Sequence, residues 1–126
     1  MSFDWADYLS LAQELSGNMV SQASQEAKLR SAISRAYYAA FCKARNHLRD
    51  KEGYLVTQEV EVHQDIRNEF KRSDDKEHRQ IGQHLDRLRR DRNKVDYDDN
   101  VASLDKMTKQ DLGLAEKIFI LLSRIS

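Results

Sequence analysis

Not one proline interrupts these 126 residues, and that fact limits the fold more than any other. Proline ends helices by removing an amide donor and clashing with the preceding turn. This chain carries no such stop, and its apolar residues recur at three- and four-residue steps along most of its length. The expected fold class is all-α.

The periodicity divides into segments. Trp5, Tyr8, Leu9, Ala12 and Leu15 mark a short first helix, with Ser2 as its expected cap and Gly17 as its stop. After polar residues around Asn18 and Ser21, the set Leu29, Ile33, Tyr37, Ala40, Phe41, Ala44 and Leu48 predicts a helix over about 23–51, roughly 40 Å long at the usual rise. Glu52-Gly53 ends it. Tyr54, Val56, Val60 and Val62 alternate as a strand would, but Val62, Ile66 and Phe70 continue at four-residue steps. A lone strand would have no partner, so a loop leading into a third helix is preferred. Ser73-Asp74-Asp75 caps a fourth helix over about 75–97, whose stripe is Ile81, Leu85, Leu88 and Val95. Thr108 and Asp111 resemble the cap of a last helix carrying Leu112, Ala115, Ile118, Phe119, Leu122 and Ile125. The expectation is one domain, residues 1–126, built as an up-and-down bundle of four to five helices with the second and fourth as its spine.

Several function classes lose support on composition. No run approaches eighteen apolar residues, and the N-terminus lacks a basic-then-apolar leader, so a soluble, cytoplasmic protein without membrane association is expected. The lone Cys42, set among Ala39, Ala40, Phe41 and Ala44, rules out an intramolecular disulfide and reads as a small core residue. The four histidines, His47, His63, His78 and His84, show no metal-binding spacing, and the four glycines form no phosphate loop. Neither metal nor cofactor is expected.

Net charge is zero, with 21 basic and 21 acidic residues, yet the bases are clustered. Residues 28–51 hold Lys28, Arg30, Arg35, Lys43, Arg45, Arg49 and Lys51 against the single acid Asp50, and residues 87–97 hold Arg87, Arg89, Arg90, Arg92 and Lys94 against Asp91 and Asp96. Lys28, Arg35, Cys42 and Arg49 are seven apart, with Tyr38 and Arg45 beside them. That stripe is either an ordinary solvated face or a surface that tracks phosphates while Tyr38 stacks a base.

Arg92 occupies the position where the fourth helix's apolar stripe calls for leucine. Asp96 lies four residues on and can pair with it, while Asn93 and Tyr97 form the adjacent rung. One reading is a core-edge arginine neutralised by Asp96. The other is a rigidly held guanidinium that grips a phosphate and stabilises charge developing on it. RNA cleavage also needs a proton acceptor near the 2′-hydroxyl, usually histidine. His84 lies two turns away on the same helix, and His63 belongs to another helix.

The stretch Leu29-Arg30-Ser31-Ala32-Ile33-Ser34-Arg35-Ala36-Tyr37-Tyr38-Ala39-Ala40-Phe41, followed by Val62-His63 and by Arg92-Asn93-Lys94-Val95-Asp96-Tyr97, resembles the HEPN family, especially its small stand-alone bacterial members. The resemblance spans roughly residues 24–125. It implies a helical bundle, commonly homodimeric, with the arginine motif lining a cleft between subunits. Many such proteins are metal-independent ribonucleases or toxins, often paired with a nucleotidyltransferase antitoxin.

Carried over residue by residue, Arg92 and Asn93 match the family's nuclease motif. Its histidine has no counterpart, since positions 97–99 are Tyr97, Asp98 and Asp99, poorer bases at neutral pH. Tyr97 is the nearest equivalent of a tyrosine that a partner enzyme adenylylates in related toxin pairs. The expected function is therefore an RNA-associated domain, toxin-like or a degenerate ribonuclease, with Arg92, Asn93, Asp96 and Tyr97 at the cleft and Arg35, Tyr38, Arg45, Arg49 and Arg89 on the flanking surface. The alternative is a non-catalytic module that docks a nucleotidyltransferase-type partner.

Overall fold

Serine at the start and glycine at the end bound the longest helix. A computed structural model describes residues 3–17, 24–56 and 62–126, and its helices are α1 (Ala6–Ser16), α2 (Gln25–Lys51), α3 (Val62–Lys71), α4 (Lys76–Tyr97) and α5 (Leu104–Ile125). Ser24 Oγ caps α2 by accepting from the Ala27 amide at 3.1 Å. At the other end Gly53 adopts φ of 69°, a left-handed conformation cheap only for glycine, and the Tyr54 amide turns back onto the Leu48 carbonyl at 2.9 Å. Asp75 caps α4 by accepting from the His78 amide at 3.0 Å. The expected cap Ser2 and the residues Asn18, Ser21 and Val60 lie outside the described residues; among the described ones, Tyr54 and Val56 are not in a strand.

Cross-links at the helix ends fix the topology. Arg30, near the start of α2, donates to the carbonyls of Val95, Asp98 and Asp99 at the end of α4, while Glu52 at the end of α2 meets His78 at the start of α4. These helices are therefore antiparallel. Arg124 at the end of α5 reaches Glu77 at the start of α4, and Arg45 stacks over Trp5, just before α1, so α1, α2, α4 and α5 run up and down. The third helix departs from that pattern. Its start, His63, lies against Phe41 and its end, Phe70, against His78, so α3 runs parallel to α2.

The core forms where α2 meets its neighbours. Ala32, Ala36, Ala39, Ala40 and Ala44 are wholly buried, and such small side chains let helix axes approach closely. Tyr37, Ile33, Leu48, Ile66, Phe70, Ile81, Leu85, Leu88 and Ile118 fill the remaining space. Gly82 sets the fit of α3 on α4: a Cβ there would stand 2.5 Å from Lys71 Cγ and 2.9 Å from the Lys71 amide nitrogen.

The last helix begins a full turn earlier than its sequence suggests. Thr108 and Asp111 are not its cap; Thr108 Oγ1 donates to the Leu104 carbonyl inside the helix at 2.8 Å, and Asp111 is buried in the core. The buried Asp111 carboxyl faces the carboxyl of Asp91, itself paired with Arg87 at 3.0 Å. No helix among the described residues is long and apolar enough to cross a membrane.

Candidate functional site

Tyr37 is the residue around which the site is built. It points inward from α2, wholly buried, where a hydroxyl must find a partner. The partner is His63 Nδ1, 2.6 Å away across the contact between α2 and α3. Burial pushes the Tyr37 hydroxyl up to about 12, so it keeps its proton, and the tautomer of His63 sets which of the two groups donates in this bond.

The imidazole is fixed on both sides of that bond. Its ring stacks on Phe41 with centroids 4.0 Å apart and planes 7° from parallel, and the Tyr38 ring approaches edge-on. Burial lowers the pKa of His63, and the charges of Arg67, Arg92, Arg89 and Arg45 lower it further. The site is thus a neutral imidazole inside a ring of four guanidiniums drawn from three helices. Tyr38, Phe41, Cys42, Arg45, Val56, Val62 and His63 line a cavity of about 240 Å³ beside it.

Arg92 sits at the core edge, as its place in the α4 stripe predicts. Its guanidinium lies 5.1 Å above the Tyr38 ring, a cation–π distance, and its Nη1 donates to Asn93 Oδ1 at 3.3 Å. Nε stands 2.9 Å from Asp96 Oδ2, but the N–H is not directed along that line. The contact is an ion pair without a hydrogen bond, and this buried donor has no acceptor among the described residues. Arg67 repeats the pattern: its Nε donates to Asp86 at 2.8 Å while Nη1, also buried, has no acceptor among the described residues. Arg67 Nη1 and Arg92 Nε are thus buried donors without a hydrogen bond among the described residues, on two arginines whose charges act on His63.

The structure gathers some of the expected site residues and separates others. Arg92, Asn93, Asp96, Tyr38, Arg45 and Arg89 belong to the cluster or its rim. Tyr97 does not: it is 75% exposed and lines a different groove with Glu26, Asp98 and Asp99. Arg49 is held by its neighbour Asp50 at 2.8 Å, and Arg35 donates to Ser31. The seven-residue stripe on α2 is not one solvent face, because Lys28 and Cys42 along it are buried. Cys42 is the core residue its neighbours imply, and burial raises its thiol pKa.

Arg67 is the site residue that sequence reasoning missed, and His63, weighed there as a proton acceptor on another helix, was not placed with Arg92. Both lie on a ten-residue helix, and they meet α2 and α4 only through tertiary packing. The usable signal was the turn spacing of Val62, Ile66 and Phe70, which leaves His63 and Arg67 one position past each apolar contact. A second cluster, also invisible to local spacing, joins His47, Glu52 and His78 at the opposite end of α4.

No protein-family model, curated protein or solved structure matches this chain.

Proposed function

We propose that the chain is an RNA-associated domain of HEPN type, which grips a backbone phosphate between Arg92, Arg67 and His63 while Tyr38 and Arg45 hold the adjoining nucleotide. The observation that carries this reading is that Arg67 and Arg92, whose charges act on His63, each hold a buried guanidinium donor without a hydrogen bond among the described residues. A phosphate oxygen would give such donors an acceptor. Local positive charge draws the polyanion in, despite a net charge of zero. Two copies meeting at this cleft, as the HEPN resemblance implies, would place two such clusters along one strand.

The same geometry favours binding over cleavage. A general base needs a free and basic lone pair, but Nδ1 of His63 is engaged by Tyr37, and burial with the neighbouring arginines lowers the basicity of its ring. Neighbouring arginines stabilise a phosphorane-like charge without moving protons. The reading is thus a degenerate ribonuclease site that retains its phosphate grip.

Fluorescence anisotropy with a labelled single-stranded RNA tests it. Arg92→Ala and His63→Gln each remove a hydrogen bond to a charged group, worth about 1.5–3 kcal/mol, and so weaken binding by about ten- to a hundredfold. Wild-type protein leaves the RNA intact at neutral pH. Equal affinity in a folded Arg92→Ala, His63→Gln double variant overturns the reading, and recovery of a nucleotidyltransferase-type protein without RNA in a pull-down selects the docking module instead.

A further inference from the structure

Away from the arginine cluster, the end of α2 and the start of α4 converge on one carboxylate. Glu52 Oε2 lies 2.6 Å from His47 Nε2 and 2.7 Å from His78 Nε2. A carboxylate can only accept, so both imidazoles present Nε2 to the same point. His78 has a second carboxylate behind it: Asp75 Oδ2 stands 2.6 Å from its Nδ1 and also receives its backbone amide. His47 is buried and its ring lies among those of Phe70 and His78, so two of the three groups stand on rigid helices in an apolar surround. Glu52, at the cap of α2, is the more exposed and adjustable one.

We propose that His47, Glu52 and His78 form a binding site for a zinc-type divalent cation that ties the end of α2 to the start of α4. Two imidazole nitrogens and one carboxylate oxygen are a donor set suited to zinc, with water completing the tetrahedron. The three ligand atoms lie within 4.8 Å of one another, and tetrahedral zinc at ordinary bond lengths spaces its ligand atoms about 3.3 Å apart. The ion would take nearly the place that Glu52 Oε2 now holds between the two Nε2 atoms. Glu52 must therefore draw back by about a zinc–oxygen bond length, roughly 2 Å, through rotation about its own side-chain bonds.

Asp75 acts as a positioning residue, because a carboxylate on the far nitrogen of a ligating histidine fixes its tautomer and raises its donor strength. On binding, the ion takes the Nε2 lone pairs of both histidines. The Nε2 proton of His78 goes to solvent while Asp75 retains the proton on Nδ1, and His47 carries its remaining hydrogen on Nδ1.

Nothing in this proposal depends on the RNA reading, and its test uses the purified chain alone. Titration of the full-length protein with Zn²⁺, followed calorimetrically, gives one saturable equivalent at micromolar or tighter affinity. Co²⁺ in its place gives the intense visible bands of a tetrahedral site. Glu52→Gln and His78→Gln each abolish the equivalent, and both alter partly exposed side chains, so the fold survives even where a His47 variant misfolds. Asp75→Asn keeps an effective helix cap and weakens zinc binding by about ten- to a hundredfold. The proposal is overturned if wild-type protein shows no saturable zinc binding, if the cobalt spectrum is octahedral, or if the equivalent persists in both Glu52→Gln and His78→Gln.

Discussion

Replacing Asp111 by asparagine should flatten the pH dependence of folding stability. Asp111 is wholly buried with no hydrogen-bond donor on either oxygen among the described residues, and it faces Asp91 across the α4–α5 contact. Burial first, and the carboxylate of Asp91 second, push it from the usual 3.8 up to about 8. The folded chain therefore holds a proton that the unfolded chain releases above pH 4. A group raised in this direction contributes stability below the unfolded pKa and loses it as pH rises towards 8. At 1.36 kcal/mol per pH unit, the wild-type chain loses about 3 kcal/mol between pH 5 and pH 7.5, a large share of a domain's usual 5–15 kcal/mol. Asparagine has nearly the same shape, does not titrate, and can donate its amide to Asp91, the partner of Arg87. Urea denaturation followed by circular dichroism at the two pH values measures the difference. Asp111→Asn should gain about 3 kcal/mol on wild type over that interval, while parallel profiles for the two proteins would refute a shared proton at this contact.

Other expectations follow from single contacts. Gly82→Ala drives a methyl against the Lys71 backbone, so it should cost about 1–3 kcal/mol in thermal denaturation and weaken RNA binding as α3, with His63 and Arg67, is pushed from α4; unchanged stability would show that α3 adjusts freely. Arg92→Lys keeps the charge but not the planar fork, and its anisotropy titration should show reduced affinity with the salt slope of wild type, whereas Arg92→Ala should lower that slope by about one. Tyr37→Phe leaves His63 Nδ1 without its hydrogen-bond partner and should destabilise the fold by about 1 kcal/mol, read by chemical denaturation. Arg30→Met removes the guanidinium that gathers three carbonyls at the end of α4; amide hydrogen exchange should rise over residues 93–97 and stay unchanged in the first half of α4.

The sequence alone determined the helices and the faces they bury. Ile81, Leu85, Leu88 and Val95 are buried as their spacing requires, Ser24-side and Asp75-side starts are capped by side chains, and Arg92 stands at the core edge because the stripe leaves it no other place. These are local matters, decided by a 3.6-residue period and by which side chains can bond a free amide. The start of α5 escaped because Thr108 and Asp111 carry the chemistry of a cap while packing selects another use: the threonine hydroxyl bonds within the helix and the aspartate shares a buried contact with Asp91. Only the tertiary structure set α3 parallel to α2, and with it the meeting of His63 and Arg67 with Arg92 and of His47 and Glu52 with His78. Residues 25 to 31 positions apart have no common period to announce them. What joins them is the close approach of helices at Gly82 and the alanine face of α2, a property of packed volume that a one-dimensional pattern does not contain.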